Sequence, residues 1–307
     1  MGGFLDHSAM ESFQRAGFLA FDPQIPPEEI AFIRSTLMTL HESGTGFKEG
    51  ALFDAIGVDD GMEPRRFPQI LHPRAFAPNL LETQFYRTAN AIAKQMLGDQ
   101  VRFKADISLL KPAHIGAATP WHQDEAFQDP SREHHELSFW LALQPTNRSN
   151  SCMEFIPGSH RWPVLPHWFP GGDTRVHALE CVEGFDPAEA VACELPTGGC
   201  TIHNGRTLHY AGPNVSDQPR LAYVLIFDLL PTPAKHPRHF PWRDAHRTAR
   251  AQREQAWRRK GGILVHLWRQ RHRVRAGTLV FDLKKALSAV RRLSTDSGQV
   301  TPPRSRA

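Results

Sequence analysis

RLAYVLIFDLLP, residues 220–231, decides the fold class of this chain. It is a short apolar run that opens on an arginine, closes on a proline and follows the turn-rich GPNVSDQP (212–219). Such a run reads as a strand. Working outward, VRFKADISLLK (101–111), ELSFWLALQP (136–145), CMEFIPG (152–158) and ACELPTGGCTIHNG (192–205) share the pattern: short, apolar or alternating, bounded by turn residues. The first hundred residues read differently. MESFQRAGF (10–18) suits a helix capped by Ser8, with Glu11 three residues on in capping-box position. A strand-like FLAFD (18–22) follows. IPPEEIAFIRSTLMTLHESG (25–44) has prolines at its start, acids in its first turn and Gly44 at its end, which predicts a second helix. LLETQFYRTANAIAKQML (80–97) predicts a third, and residues 45–78 read as irregular. Helices first and strands after predict an α+β chain with a mainly β core, a sandwich or barrel. The 25 prolines and 22 glycines are spread along the chain, as many turns between short strands require. There is no internal repeat.

Composition removes several classes. No run approaches the length of apolar chain that a membrane-spanning helix needs, so no transmembrane segment is expected. MGGFLDHSAM has neither the basic region nor the apolar core of a signal peptide, and Asp6 stands where a myristoylation signal wants Ser or Thr. Cys152, Cys181, Cys193 and Cys200 form no CxxC pair. They read as reduced thiols of a cytoplasmic protein, not as a zinc site. The net charge of +4 is unevenly spread: residues 231–307 hold 19 Lys+Arg against 4 Asp+Glu, whereas residues 1–230 hold 17 against 28. This predicts an acidic domain over 1–230 and a basic, helical extension over 231–307, ending in a disordered STDSGQVTPPRSRA (294–307). The extension suits packing on the acidic body, or contact with an anionic surface or a carrier protein. Nucleic acid is a weaker fit, since no recognisable nucleic-acid module accompanies Trp257 and Trp268.

The chemistry starts in TPWHQDEAFQDP (119–130). In an extended chain His122 and Asp124 project to one face. Alone they also suit a surface hydrogen bond. A third ligand decides, and His209 stands just beyond an apolar strand, with Arg220 eleven residues later. His203 competes for the same role, with a spacing of seventeen to Arg220. Two imidazoles and one carboxylate leave three open positions on a six-coordinate metal, the facial arrangement of non-haem Fe(II) oxygenases. Zinc with such ligands tends to stay four-coordinate and supplies no redox step. An arginine on the neighbouring strand suits the far carboxylate of a dicarboxylic keto acid, which its planar fork can grip with two hydrogen bonds.

HQDEAF, SFWLALQPTNRSNSCMEFIPGSH and GRTLHYAGPNVSDQPR, in that order and spacing, resemble the phytanoyl-CoA dioxygenase family of Fe(II)/2-oxoglutarate oxygenases, over about residues 8–230. The resemblance implies a double-stranded β-helix, a jelly roll with flanking N-terminal helices. It implies that His122, Asp124 and His209 bind iron and that Arg220 holds the C5 carboxylate of 2-oxoglutarate. It places Trp140 and Lys111 at the cosubstrate pocket. One departure is visible: where family members often carry Ser or Thr two residues after the distal histidine, this chain has Ala211. Asp124 itself argues against halogenation, which needs an open carboxylate position. The implied activity uses Fe(II), 2-oxoglutarate and O2 to hydroxylate a small molecule of the secondary-metabolite type, releasing succinate and CO2. A fatty acyl-CoA or carrier-bound acyl hydroxylase, a non-oxidative metal-binding jelly roll and a nucleic-acid-modifying oxygenase are the rival readings. The connectors 45–78, 126–135 and 161–178 are expected to frame the substrate pocket.

Overall fold

Two antiparallel sheets face each other across an apolar interior, and three helices cover the outer face of the larger sheet. A computed structural model describes residues 4–61 and 63–259. The larger sheet has seven strands in the order Phe18–Phe21, Cys200–Asn204, Glu136–Ala142, Arg220–Asp228, Arg102–Lys111, Pro68–Leu71 and Leu52–Asp54. The smaller has four, in the order Val191–Cys193, Met153–Phe155, His209–Ala211 and Thr119–His122. This is the jelly-roll arrangement, and the expected α+β class with a mainly β core holds.

Side chains alternate across a strand, so each strand of the larger sheet feeds two cores. Leu137, Phe139, Leu141, Leu221, Tyr223, Leu225 and Phe227 pack outward on the helices. Trp140, Ala142, Ala222 and Val224 pack inward with Met153, Phe155, Cys193 and Ala211 of the smaller sheet. Both faces are buried, and every residue of Glu136–Ala142 is therefore inside. That is why this strand reads as an apolar run rather than a clean alternation.

The helices are fixed at their ends by polar contacts. In His7–Ala16 the cap is Asp6, whose carboxylate accepts from Ala9 N. The expected cap, Ser8, lies inside the first turn. Asp6 takes the role because it has the extended backbone of a cap and a carboxylate suited to the helix N-terminus. Gly17, at φ 85°, ends the helix in the left-handed conformation that glycine adopts without penalty. Pro27–Glu42 begins on Pro27, as expected. Its Glu29 carboxylate accepts from Gln84 N (2.6 Å) and Phe85 N (2.9 Å), the unpaired first amides of Gln84–Leu97. That third helix starts four residues after Leu80, because Pro78–Glu82 forms a tighter 3-10 turn.

The sequence gives little warning of two further strands. Leu52–Asp54 and Pro68–Leu71, inside a segment expected to be irregular, extend the larger sheet beside Arg102–Lys111. Past the jelly roll, Pro241–Ala245 and Ala249–Trp257 are helical. The first packing unit runs to Trp257, so residues 231–257 of the expected extension belong to the same body. The second unit is Arg258–Ala307, and residues 260–293 of the expected helical extension and the disorder expected at 294–307 lie outside the described residues. No described helix is long and apolar enough to cross a membrane.

Candidate active site

Two very short strands place the two candidate imidazoles. Thr119–His122 pairs with His209–Ala211 so that His209 stands opposite His122, with ring centroids 4.1 Å apart. The register shifts between His209 and Ala211, a bulge beside the site of the kind that re-aims side chains. Asp124 follows in the 3-10 turn Asp124–Phe127. Its Oδ1 lies 3.5 Å from His122 Nε2 and 3.7 Å from His209 Nε2. One ligand atom from each of His122, Asp124 and His209 lies within 4.8 Å of the others, close enough to share one metal ion.

The donor chemistry fits a metal. His122 Nδ1 lies 2.8 Å from Pro120 O, and His209 Nδ1 lies 2.8 Å from Thr207 O. Each imidazole therefore donates through Nδ1 to a carbonyl and turns Nε2, the nitrogen left for a metal, toward Asp124. Burial, with His122 and His203 alongside, holds His209 well below the usual imidazole range. Burial works against charge on Asp124, but His209, His122 and His203 outweigh it and hold the carboxyl well below its ordinary value. Two imidazoles turned to one point by Nε2 and one carboxylate make the kind of donor set that divalent metals take.

His203, the rival third ligand, contacts the carboxylate instead. Its Nε2 lies 3.3 Å from Asp124 Oδ2, and Ser138 Oγ donates to the same oxygen at 3.1 Å. Asp124 therefore faces His122 and His209 with one oxygen and has the other held from the sheet behind it. Gln123 points away from the site, fully buried, and binds Pro163 O, Arg206 O and Leu165 N. Glu125 accepts a two-pronged contact from Arg206 (2.8 Å each) and a third hydrogen bond from Arg238 (2.6 Å). Trp242 Nε1 donates to Ala126 O at 2.9 Å. The ligand segment is thus locked from the sheet side and from residues 238–242.

Arg220 begins the central strand and is 1% exposed. Its Nη2 donates to Ser151 Oγ at 3.0 Å, while Nε and Nη1 find no hydrogen-bond partner among the described residues. Its guanidinium sits 5.4 Å over the Trp140 ring. Burial pushes its pKa down to about 9, as expected for a guanidinium taken out of water without a carboxylate. Trp140 Nε1 and Thr201 Oγ1 are buried and unpartnered too, and the two residues are opposite one another in the sheet. A carboxylate is the natural occupant for such a cluster of unmet donors. Lys111 is the sheet partner of Arg220 and fully buried. Its Nζ donates to Ala211 O (2.9 Å) and Gly212 O (2.6 Å), which ties down the chain just after His209. Burial, then the neighbouring Arg220, lowers its pKa well below the lysine range.

The three connectors meet beside His122. Phe127 stands edge-on to His122 at 6.2 Å, stacks on His177 at 5.8 Å, and His177 meets Phe53 at 4.5 Å. Sequence reasoning singles out neither these three residues nor Ser138, Ser151 and Thr201. Serines, threonines and phenylalanines are too common for type alone to mark them, and their positions follow from pairing between distant strands.

Comparison with known proteins agrees with this geometry. Residues 13–222 match the phytanoyl-CoA dioxygenase (PhyH) family. A probable alpha-ketoglutarate-dependent hypophosphite dioxygenase of Stutzerimonas stutzeri is 34% identical over 128 residues, covering 41% of this chain and 44% of that protein. The L-proline trans-4-hydroxylase of Streptomyces griseoviridis is 27% identical over 172 residues, covering 48% of this chain and 61% of that one. In both cases the match spans less than two thirds of the relative. The crystal structure of EvdO2 from Micromonospora carbonacea var. aurantiaca, complexed with 2-oxoglutarate, is 34% identical with a TM-score of 0.67, covering 79% of this chain and 98% of that one. With its jelly roll, its clustered His-Asp-His and a family match over most of its length, this chain belongs to the phytanoyl-CoA dioxygenase family.

Proposed function

We propose that this chain is an Fe(II)- and 2-oxoglutarate-dependent dioxygenase that hydroxylates a small molecule of the secondary-metabolite type. One observation carries the reading: the His122–Asp124–His209 cluster and a buried arginine with two unmet donor nitrogens are built into one jelly-roll interior. Bound together, Fe(II) and 2-oxoglutarate supply O2 activation and C–H oxidation, with succinate and CO2 as coproducts.

The protein's part is placement and exclusion of water. His122 and His209 present Nε2, with their rings oriented by the Pro120 and Thr207 carbonyls. Asp124 supplies the negative charge through Oδ1. Arg220 grips the far carboxylate of 2-oxoglutarate, with the Trp140 ring beneath it. Lys111 acts at the same pocket by holding the Ala211–Gly212 backbone. Phe155, Ala222 and Val224 keep this interior apolar, which strengthens each charge contact within it.

Phe53, Phe127 and His177, one from each connector, would form the substrate-facing wall next to His122. Two aromatic faces and an imidazole suit a partly apolar substrate bearing polar groups. The relatives support small-molecule chemistry by their names, which specify hypophosphite and L-proline. We assign the oxygenase body to the jelly roll together with residues 231–257, and leave the basic extension to the residues beyond. A reducing, cytoplasmic setting fits four buried cysteines that form no disulfide.

The test is an anaerobic titration of apo-protein with Fe(II) and 2-oxoglutarate, following the visible metal-to-ligand charge-transfer band. Succinate release in air then serves as the assay for substrate. Tight iron binding without a band, and without competition by 2-oxoglutarate, would leave a non-oxidative metal protein.

A further inference from the structure

We infer that Ser151 is a cosubstrate-binding residue of this chain, supplying the hydroxyl that Ala211 lacks at the carboxylate end of 2-oxoglutarate. The inference rests on the oxygenase reading above and concerns how this chain binds the keto acid.

Ser151 is fully buried, yet its backbone is in the left-handed region at φ 76°, ψ 54°. Five described residues other than glycine have positive φ: Gln24, Asp59, His72, His114 and Ser151. Ser151 is the buried one. For an L-residue with a Cβ this conformation is strained, and glycine would relieve the strain. The surroundings impose it. Asn147 Oδ1 accepts from Ser149 N and Asn150 N, Asn150 Oδ1 accepts from Asn147 N, and Cys152 N donates to Asn147 O. The chain then enters Met153–Phe155, which pairs with His209–Ala211. Ser151 is therefore fixed between a rigid turn and the strand beside a candidate iron ligand.

What its side chain gains is Arg220. The hydroxyl oxygen accepts from Nη2 at 3.0 Å. A serine hydroxyl also carries one proton to donate, and that proton has no acceptor among the described residues. Next to it, Arg220 Nε and Nη1 are unmet. Two guanidinium nitrogens and a hydroxyl proton are thus without an acceptor in a buried, apolar interior, where unmet polar groups are costly. A carboxylate on the Nη1/Nη2 edge of the guanidinium would accept from Nη1 and from the serine hydroxyl that sits at Nη2. Meanwhile Ala211 presents only a methyl group to the apolar interior, packed with Trp140 and Met153. The hydroxyl at this pocket comes from the turn before the neighbouring strand, rather than from the strand that carries His209.

The experiment is the same anaerobic charge-transfer titration, performed on wild type, Ser151→Ala, Ser151→Gly and the double variant Ser151→Ala/Ala211→Ser. Loss of one hydrogen bond to a charged group predicts a roughly tenfold or greater rise in the Kd for 2-oxoglutarate in both single variants. Fe(II) affinity without 2-oxoglutarate should be unchanged. Ser151→Gly should unfold at the wild-type temperature or above, because it removes strain. Recovery of 2-oxoglutarate affinity in the double variant supports the assignment. A wild-type band with unchanged 2-oxoglutarate affinity in both single variants overturns this inference alone. So does a loss of affinity that is matched by loss of Fe(II) binding or of thermal stability, since that marks a structural role. No band in the wild type overturns the oxygenase reading, and the inference with it.

Discussion

His203 Nε2 lies 3.3 Å from Asp124 Oδ2, on the oxygen opposite the one that faces His122 and His209. With Ser138 on the same atom, it keeps the carboxylate plane from turning and leaves Oδ1 facing His122 and His209, where a metal would bind. Partners of this kind orient a ligand, and removing one typically lowers metal affinity about 10–100-fold. His203→Gln should therefore weaken Fe(II) or Co(II) binding by that order in a direct titration, with the fold intact by circular dichroism. Unchanged affinity would show that Ser138 suffices.

Asp124→Asn is expected to be more severe. It preserves shape and can keep the Ser138 contact, but removes the negative charge that the three surrounding imidazoles hold in place. Metal affinity should fall by more than for His203→Gln, measured by the same titration. Retention of wild-type affinity would count against Asp124 as a ligand.

Arg220 predicts opposite effects on stability and binding. Without an anion it is a buried cation whose one hydrogen-bond partner is a neutral hydroxyl. Arg220→Met removes that burden, so the melting temperature of the protein without 2-oxoglutarate should hold or rise. In wild type, 2-oxoglutarate at a hundred times its Kd should stabilise by about 2.7 kcal/mol. Thermal shift should show this increment lost in Arg220→Met, and not recovered in Arg220→Lys, because an ammonium cannot reproduce the planar fork.

His41 sets part of the acid sensitivity. Its Nε2 lies 2.9 Å from Ser108 Oγ, and burial, then the Arg65 charge, push its pKa down to about 4. Between pH 4 and its ordinary value of 6.5 the unfolded chain binds the proton more readily than the folded one. Stability therefore rises with pH across this window, is complete above it, and is lost as pH falls toward 4. The slope from one such group is at most about 1.4 kcal/mol per pH unit. His41→Gln keeps a partner for Ser108 and cannot titrate. Urea midpoints at pH 5 and pH 7 should differ less for this variant than for wild type.

Residues 231–257 are expected to be needed for the site. Trp242 is buried among Ala126, Phe169, Leu179 and Phe240, and Arg253 donates to Phe47 O, Asp59 O and Leu52 O. Trp242→Ala should cost about 3–5 kcal/mol. A chain ending at Trp257 should fold and bind metal as the full chain does, whereas one ending at Leu230 should lose Fe(II) affinity or fail to fold. Equal Fe(II) binding by the two truncations would show that this packing is dispensable.

Much of the fold and of the site is legible in the residues alone. The runs at 101–111, 136–145 and 220–231 are strands because their apolar character and turn boundaries are local properties. Pro27–Glu42 is a helix for the same kind of reason, with proline and acids at its start. His122, Asp124, His209 and Arg220 stand out as candidates because metal and carboxylate chemistry restrict residue type, and their order along the chain restricts it further. The first helix is capped by Asp6 rather than Ser8, since two acceptable caps so close together differ only in the backbone each adopts.

The sequence by itself thus determined the strands, the main helices and the residues able to bind a metal, because those depend on local periodicity and on side-chain chemistry. Tertiary structure alone decided that strands of four and three residues bring His122 opposite His209, that His203 turns to Asp124, and that residues 231–257 close over Ala126. It also decided that a serine is held in a glycine-like conformation against Arg220. Short strands carry too little pattern to announce themselves, and the partner of a buried polar atom is set by long-range register, which no local window of sequence contains.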